Sequence, residues 1–336
     1  MNFALFDPDA MTEADYEAIT EMRARIFALD RPGTPPLSLA ATIALMTEVD
    51  AAALAARIFW LARGDAGELV GFGQVSMPEQ ENTDTAIVFL EVDPDRRRQG
   101  IGTAFLRAVL PSIQAAGRTR VLAMNVTTDA DGERFAEAMG AVCTIRGLVQ
   151  TLDVAAADRT LWDIPAPQGY RVESWNGAVP EDSLVSYARA RTAIADAPSQ
   201  DHEWEPMAWT PERVRAEEAL FAESGQEYRQ AVAIHESSGD VAGITELVLR
   251  PADPTHAQQL DTAVHHPHRG HRLGRAMKAE LLRSLVTERP AVQRVTTATA
   301  SDNIHMIAVN HAIGYTDTRR QGFFETKVDD LAARLG

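Results

Sequence analysis

The stretch Val92-Asp93-Pro94-Asp95-Arg96-Arg97-Arg98-Gln99-Gly100-Ile101-Gly102 decides how the chain is read. A strand-like apolar run, Thr85 to Val92, enters it, and an amphipathic helical pattern from about Gly102 to Ala116 leaves it. Such a junction suits an anion. The N–H groups of a first helical turn have no partner inside the helix, and the helix dipole adds partial positive charge there. Glycine lets the backbone come close to a phosphate. One loop of this kind is weak evidence. The chain has a second, Val264-His265-His266-Pro267-His268-Arg269-Gly270-His271-Arg272-Leu273-Gly274, again between a strand (Ala257 to Val264) and a helix (Gly274 to Thr287). An ordinary basic turn is the plain alternative, and two copies in register argue against it.

Working outward, the same order of elements surrounds both loops. In the first half a short strand (Phe3 to Phe6) precedes helical patterns over Thr12 to Leu29 and about Leu37 to Ala55. Strands follow at 58–62, 69–75 and 85–92, separated by turn-rich segments. Beyond the loop and its helix come a strand (Arg120 to Val126), a helix (Gly132 to Met139) and two strands within Val142 to Val154. The second half repeats this plan. It has a strand at 170–172, helices at 180–194 and 211–223, and strands at 228–235, 241–249 and 257–264. After its loop and helix come a strand (Arg294 to Thr299), a helix (Asn303 to Ile313) and a terminal strand (Gly322 to Val328). A period of roughly 170 residues is far too long for a solenoid and marks a duplicated domain. The expected organisation is a first domain over 1–155, a linker over 156–168 stiffened by Pro165-Ala166-Pro167, and a second domain over 169–336.

Composition narrows the function. The 336 residues are 45% apolar and 24% charged, which fits a folded α/β chain of two domains. The net charge of -16, from 32 basic and 48 acidic residues, argues against a general nucleic-acid binder or a polybasic membrane anchor. It is compatible with a cationic small molecule, although a solvated acidic surface is the commoner cause. No run approaches the roughly 18 apolar residues of a membrane span. Met1 to Asp9 lacks the basic start of a secretory signal. Cys143 is the single cysteine, so an internal disulfide and a cysteine zinc site are excluded, and a cytoplasmic location is expected. Only Lys278 and Lys327 are lysines.

Both loops resemble the GNAT superfamily of acyl-CoA-dependent N-acetyltransferases, whose motif is Arg/Gln-x-x-Gly-x-Gly/Ala. Arg97-Arg98-Gln99-Gly100-Ile101-Gly102 matches it fully, and Arg269-Gly270-His271-Arg272-Leu273-Gly274 has Arg272 in place of the middle glycine. The resemblance spans nearly the whole chain as two copies, an architecture similar to that of bacterial tandem members such as mycothiol synthase. It implies an α/β (α+β) fold class: two tandem GNAT (acyl-CoA N-acyltransferase) folds. Each would be a mixed, mostly antiparallel sheet, splayed between its fourth and fifth strands and flanked by helices. It implies acetyl-CoA as co-substrate, its pyrophosphate on the loops and its pantetheine arm beside the strand ends at Val92 and Val264. The implied cofactor-binding residues are Val92, Arg97, Arg98, Gln99, Gly100, Ile101, Gly102 and Thr103 in the first half. In the second they are Val264, Arg269, Gly270, His271, Arg272, Leu273 and Gly274, with Asn303 on the following helix. The family's usual tyrosine, which reprotonates the leaving thiolate, would fall on Asn310 and on Ala136, neither of which can deliver a proton.

Acetyl transfer to an amine needs a proton acceptor. Glu246, alone among apolar neighbours in Val241 to Leu249, is the candidate catalytic base, either in the acceptor cleft or on a solvent face; Glu91 is its first-half counterpart. Gln259 and Asp261 share one face of the next strand. The acidic stretch Asp196 to Glu205 would border the acceptor site. His265, His266, His268 and His271 lack carboxylate or cysteine ligands at metal spacing, so no metal is expected. The sequence points to an acetyl-CoA-dependent N-acetyltransferase of a small, cationic amine, active in the second half, with Glu246 and Asn310 at the chemistry. Its partners would be that amine and acetyl-CoA, without nucleic acid or membrane, in a monomer or homodimer. A non-catalytic acyl-CoA-binding protein with degenerate domains is the alternative.

Overall fold

The computed structural model describes residues 2–47, 57–198 and 200–336. In the first half these form β1 (Asn2–Phe6), α1 (Glu13–Asp30), α2 (Leu39–Thr47), β2 (Arg57–Arg63), β3 (Leu69–Ser76), β4 (Thr85–Val92), α3 (Ile101–Ala115), β5 (Arg120–Thr127), α4 (Asp131–Ala138) and β6 (Val142–Asp153). The second half forms β7 (Tyr170–Asn176), α5 (Leu184–Thr192), α6 (Pro211–Glu223), β8 (Glu227–His235), β9 (Val241–Arg250), β10 (Asp253–Val264), α7 (Leu273–Glu288), β11 (Arg294–Ala300), α8 (Ile304–His311), β12 (Thr316–Lys327) and α9 (Val328–Leu335). The helix expected over 37–55 is α2; its residues 48–55 lie outside the described residues. The segment 142–154 is one long strand and not two. The helix α9 was not anticipated. Its Val328, Leu331 and Leu335 at helical spacing are buried against the first unit's core.

Two compact units emerge, and they do not follow chain order. The first comprises Met1–Gly147, Gln200–Glu205 and Arg319–Gly336; the second comprises Leu148–Ser199 and Pro206–Thr318. The sheet of the first unit runs β1-β2-β3-β4-β5-β12. The chain's last strand closes it, antiparallel to β5 from Gln321↔Thr127 to Lys327↔Arg120. The second unit runs β6-β11-β10-β9-β8-β7, with Leu148–Asp153 of β6 beside β11. Within 156–168 a 3-10 turn (Arg159–Trp162) buries Trp162 in the second unit's core, where its indole N–H donates to the Ile313 carbonyl at 2.9 Å.

Each sheet is covered on both faces, which is why its strands read as apolar runs with few exposed positions. In the first unit α3 and α9 cover Trp60, Val75, Ala86, Val88 and Val121. The other face carries α1, whose Ile19, Met22 and Ile26 meet Phe59, Leu61 and Phe72. The capping box of Thr12 and Asp15 fixes the start of α1. In the second unit α7 covers Ala231, Ala233, Leu247 and Leu249, while α5 and α6 cover Val232, Ile234 and Ile244.

Candidate active site: two splayed strand pairs

The parallel pairs part after a short zipped stretch. β4 and β5 pair only at Thr85↔Arg120, Ala86↔Val121 and Ile87↔Leu122. β10 and β11 pair only at His256↔Arg294, Ala257↔Val295 and Gln258↔Thr296. Beyond those points the strand edges are free to take an added, strand-like ligand. In the first unit the gap is a cavity of about 460 Å³ lined by 88–92 of β4, 123–127 of β5 and the loop into α3.

Both loops use the same backbone geometry with different residues. Each has two left-handed positions, at Arg98 (φ 61°) and Gly100 (φ 79°) in the first unit and at Gly270 (φ 83°) and Arg272 (φ 61°) in the second. The glycine and the arginine have exchanged places. Arg272 thus keeps the conformation that a middle glycine would adopt, at a cost of about 1 kcal/mol for a residue with a Cβ. No side chain caps either α3 or α7, so the first-turn N–H groups stay open toward the loop.

All the first-unit loop residues expected to bind cofactor line the cavity except Gln99, which is exposed and donates to the Asp95 carbonyl. Ile101 and Leu273 point into the cores, so they offer only backbone. Arg97 and Arg269 are clamps. Each donates its Nε to the carbonyl that ends the preceding strand, Val92 at 3.4 Å and Val264 at 3.0 Å. Each also binds an aspartate: Arg97 takes Asp30 at 2.6 and 3.0 Å, and Arg269 takes Asp196. Arg98 and Arg272 make no such ion pair among the described residues and remain available to a phosphate. Gly102 is a cradle: a Cβ there would meet Phe135 Cζ at 2.8 Å and Leu90 Cδ2 at 3.3 Å. At Gly274 the nearest atom would be Thr262 Cγ2 at 3.7 Å.

Two histidines of the second loop pack on Tyr170, His268 edge-on and His271 tilted. Tyr170 lies 5.3, 5.7 and 5.4 Å from the rings of His235, His268 and His271, and its hydroxyl is 3.0 Å from His268 Nδ1. Asn303 caps α8, its Oδ1 accepting from Met306 N at 3.2 Å. Asn310 is fully buried, its amide donating to Gln150 Oε1 at 2.7 Å.

Glu246 lies neither on a solvent face nor open to a cleft. It is fully buried; its Oε1 accepts from the Tyr187 hydroxyl at 2.7 Å and from the Tyr228 hydroxyl, and it forms an ion pair with Arg191, whose Nε lies 3.0 Å away. Arg191 also pairs with Glu217 and stacks on Trp209 at 3.3 Å. Burial and the Glu246 charge hold both phenols well above their usual range, so they stay protonated donors. Burial pushes Glu217 up to about 7. Across from Glu246, β10 bulges: Gln259 pairs with Leu247 and Thr262 with Thr245, so Leu260 and Asp261 face one residue. The Asp261 carboxylate has no hydrogen bond or ion pair among the described residues, and burial together with Glu246 pushes it up to about 6. The first unit pairs without a bulge from Gly71↔Val92 to Ser76↔Ile87, and its Glu91 is buried against Arg23 at 2.9 Å.

The acidic stretch divides. Asp196 clamps Arg269, whereas Glu205 and Glu203 pack in the first unit. The Asn82 amide bridges to the Glu205 backbone at 2.8 and 2.9 Å, and Arg120 donates to the Glu203 carbonyl at 2.9 Å. Sequence reading missed Tyr187 and Arg191, one turn apart on α5, together with Trp209, Glu217 of α6 and Tyr228 of β8, whose separation along the chain hides that they meet.

The chain belongs to the acetyltransferase (GNAT) family: the family's sequence pattern matches residues 24–141 and again 195–315. A solved tandem GNAT protein from the clavulanic acid biosynthesis pathway, determined without acetyl-CoA, is 26% identical. The match covers 97% of this chain and 98% of that one with a TM-score of 0.79. A GCN5-related N-acetyltransferase from Sphaerobacter thermophilus shares the fold at 18% identity, with 97% and 96% covered and a TM-score of 0.69. No curated protein sequence matches the chain. The fold is therefore two tandem GNAT folds, and the chain is an acetyltransferase by family. No helix among the described residues is long and apolar enough to cross a membrane.

Proposed function

We propose that the protein is an acetyl-CoA-dependent N-acetyltransferase of a small, cationic amine, with turnover in the second unit. The observation that carries this reading is the carboxylate excess there: Glu217, Glu246 and Asp261 surround one guanidinium, Arg191, beside the splayed pair β10 and β11. An ammonium substrate complements that excess. The uncapped helix starts and the Gly102 cradle fit a pyrophosphate on the loops, held by backbone N–H groups with Arg98 and Arg272. Acetyl-CoA, when bound, supplies the thioester.

Asp261 is the proton acceptor in this reading. It is unpaired, it lies at the bulge, and its carboxyl is tuned toward neutrality. Glu246 acts through its neighbours as a positioning residue, because it is fully buried and its Oε1 already serves two phenols. Asn310 is committed to Gln150 and serves as a structural amide. That last observation also favours the second reading, a non-catalytic acyl-CoA-binding protein, since no phenol replaces it.

Thiol release measured against polyamines, aminoglycosides, amino sugars and amino acids tests both readings. Asp261→Asn should lower kcat by about 10²-fold and leave acetyl-CoA affinity unchanged. Full activity in Asp261→Asn with loss in Glu91→Gln would move the chemistry to the first unit. Binding of acetyl-CoA without consumption by any amine would select the second reading.

A further inference from the structure

We propose that the first unit carries an oxyanion-binding site formed by Arg31 and Arg319, which takes a small molecule bearing a carboxylate or a phosphate. The inference does not depend on turnover in either unit.

Arg31 follows α1 and lines the 460 Å³ cavity together with Asn125 and Thr127 of β5. Arg319 comes from β12 and donates to Thr127 Oγ1 at 3.2 Å and to Gln321 Oε1 at 2.9 Å. Gln321 in turn donates to Asn125 Oδ1 at 2.8 Å. Neutral groups thus aim the Arg319 guanidinium, and no carboxylate does. The Arg31 guanidinium lies over the Phe27 ring at 4.6 Å, a contact that covers its face and leaves its N–H edge.

The carboxylates of this region are committed elsewhere. Asp30 holds Arg97 through both oxygens, Asp131 holds Arg97 and Arg134, and Glu91 holds Arg23. Among the described residues neither Arg31 nor Arg319 makes an ion pair. Both are half-buried. Burial pulls the Arg31 guanidinium down, and burial with the Arg31 charge pulls Arg319 down to about 10. Glu91 and Asp30 act on Arg31 only at a distance, each being paired to another arginine, so two partly desolvated cations without a direct ion pair remain for an anion to bridge. Planar guanidinium forks select carboxylate or phosphate oxygens in pairs.

Calorimetry on the full chain with succinate, and separately with inorganic phosphate, tests the site and distinguishes the two ligand chemistries. One site per chain is expected for at least one probe. Arg31→Gln and Arg319→Gln should each weaken it by about 10-fold or more, and Arg31→Lys by less. Circular dichroism checks that each variant folds, and the lysine variants of both positions carry the test where a glutamine variant does not. Arg98→Gln should weaken acetyl-CoA and leave the probe unaffected. Three results would overturn the proposal. They are no binding of either probe at about 10 mM, unchanged binding in both glutamine variants, or full displacement by acetyl-CoA, which would assign the two arginines to the coenzyme's phosphates.

Discussion

Where Arg31 lines the cleft of the first unit and Arg319 braces its wall at Thr127, neither in an ion pair among the described residues, the second unit gathers Glu217, Glu246 and Asp261 about Arg191. The loops differ in a subtler way: the same two left-handed positions are filled by Arg98 and Gly100 in one and by Gly270 and Arg272 in the other. The two loops share one backbone conformation, while the charged side chains around them differ. The lesson is that a loop's conformation is fixed by backbone sterics, whereas the polarity of a cleft is set by residues far from it in sequence and is free to diverge.

The largest effect should come from filling the cradles. Gly102→Trp is expected to abolish acetyl-CoA binding in the first unit and Gly274→Trp in the second, so calorimetric stoichiometry falls by one site in each. The alanine variants sharpen the comparison. Gly102→Ala collides with Phe135 at 2.8 Å, while Gly274→Ala meets nothing closer than 3.7 Å and should bind normally. Equal behaviour of the two alanine variants would break the claim that the cradles differ.

Next in size is the pH profile. A base must be deprotonated, so kcat/KM should fall as pH drops through about 6, the value to which burial and Glu246 raise Asp261. Asp261→Asn should remove that limb together with most of the rate, whereas Arg31→Gln should leave the limb in place. A limb that survives Asp261→Asn would point to another acceptor.

A smaller effect separates the helices that follow the loops. Lys278 of α7 and Leu106 of α3 occupy the same place in the repeat and both are buried. Burial lowers Lys278 to about 7 from 10.5. The unfolded chain therefore binds more protons between those values. The stability this shift contributes is present above about 10.5 and is lost as pH falls toward 7. Lys278→Leu should flatten that slope and raise stability at neutral pH by on the order of 1 kcal/mol, read from denaturant midpoints. Leu106→Lys should introduce the slope in the first unit. The smallest expected change is at the loops: Arg272→Gly relieves a left-handed side chain but adds chain entropy, for a net gain of about 0.5 kcal/mol. Gly100→Ala should cost about 1 kcal/mol, and a stabilised Gly100→Ala would contradict the shared loop geometry.

The sequence by itself determined the duplication, nearly every element and both strand-to-helix loops, because these depend on local things: strand and helix periodicity, turn residues and the spacing Arg97, Gly100, Gly102. A strand-to-helix junction is contiguous, so its meaning survives in one dimension. Tertiary structure alone decided that Arg319–Gly336 completes the first unit, since strand partners are chosen by edge complementarity and not by chain order. It alone showed Arg97 and Arg269 spent on Asp30 and Asp196, and Glu246 sealed beneath Tyr187 and Tyr228. Whether a charged side chain is free or committed depends on what the fold brings within about 3 Å of it, and partners drawn from α1, α5, β8 and β12 leave no periodic trace around the residues they bind.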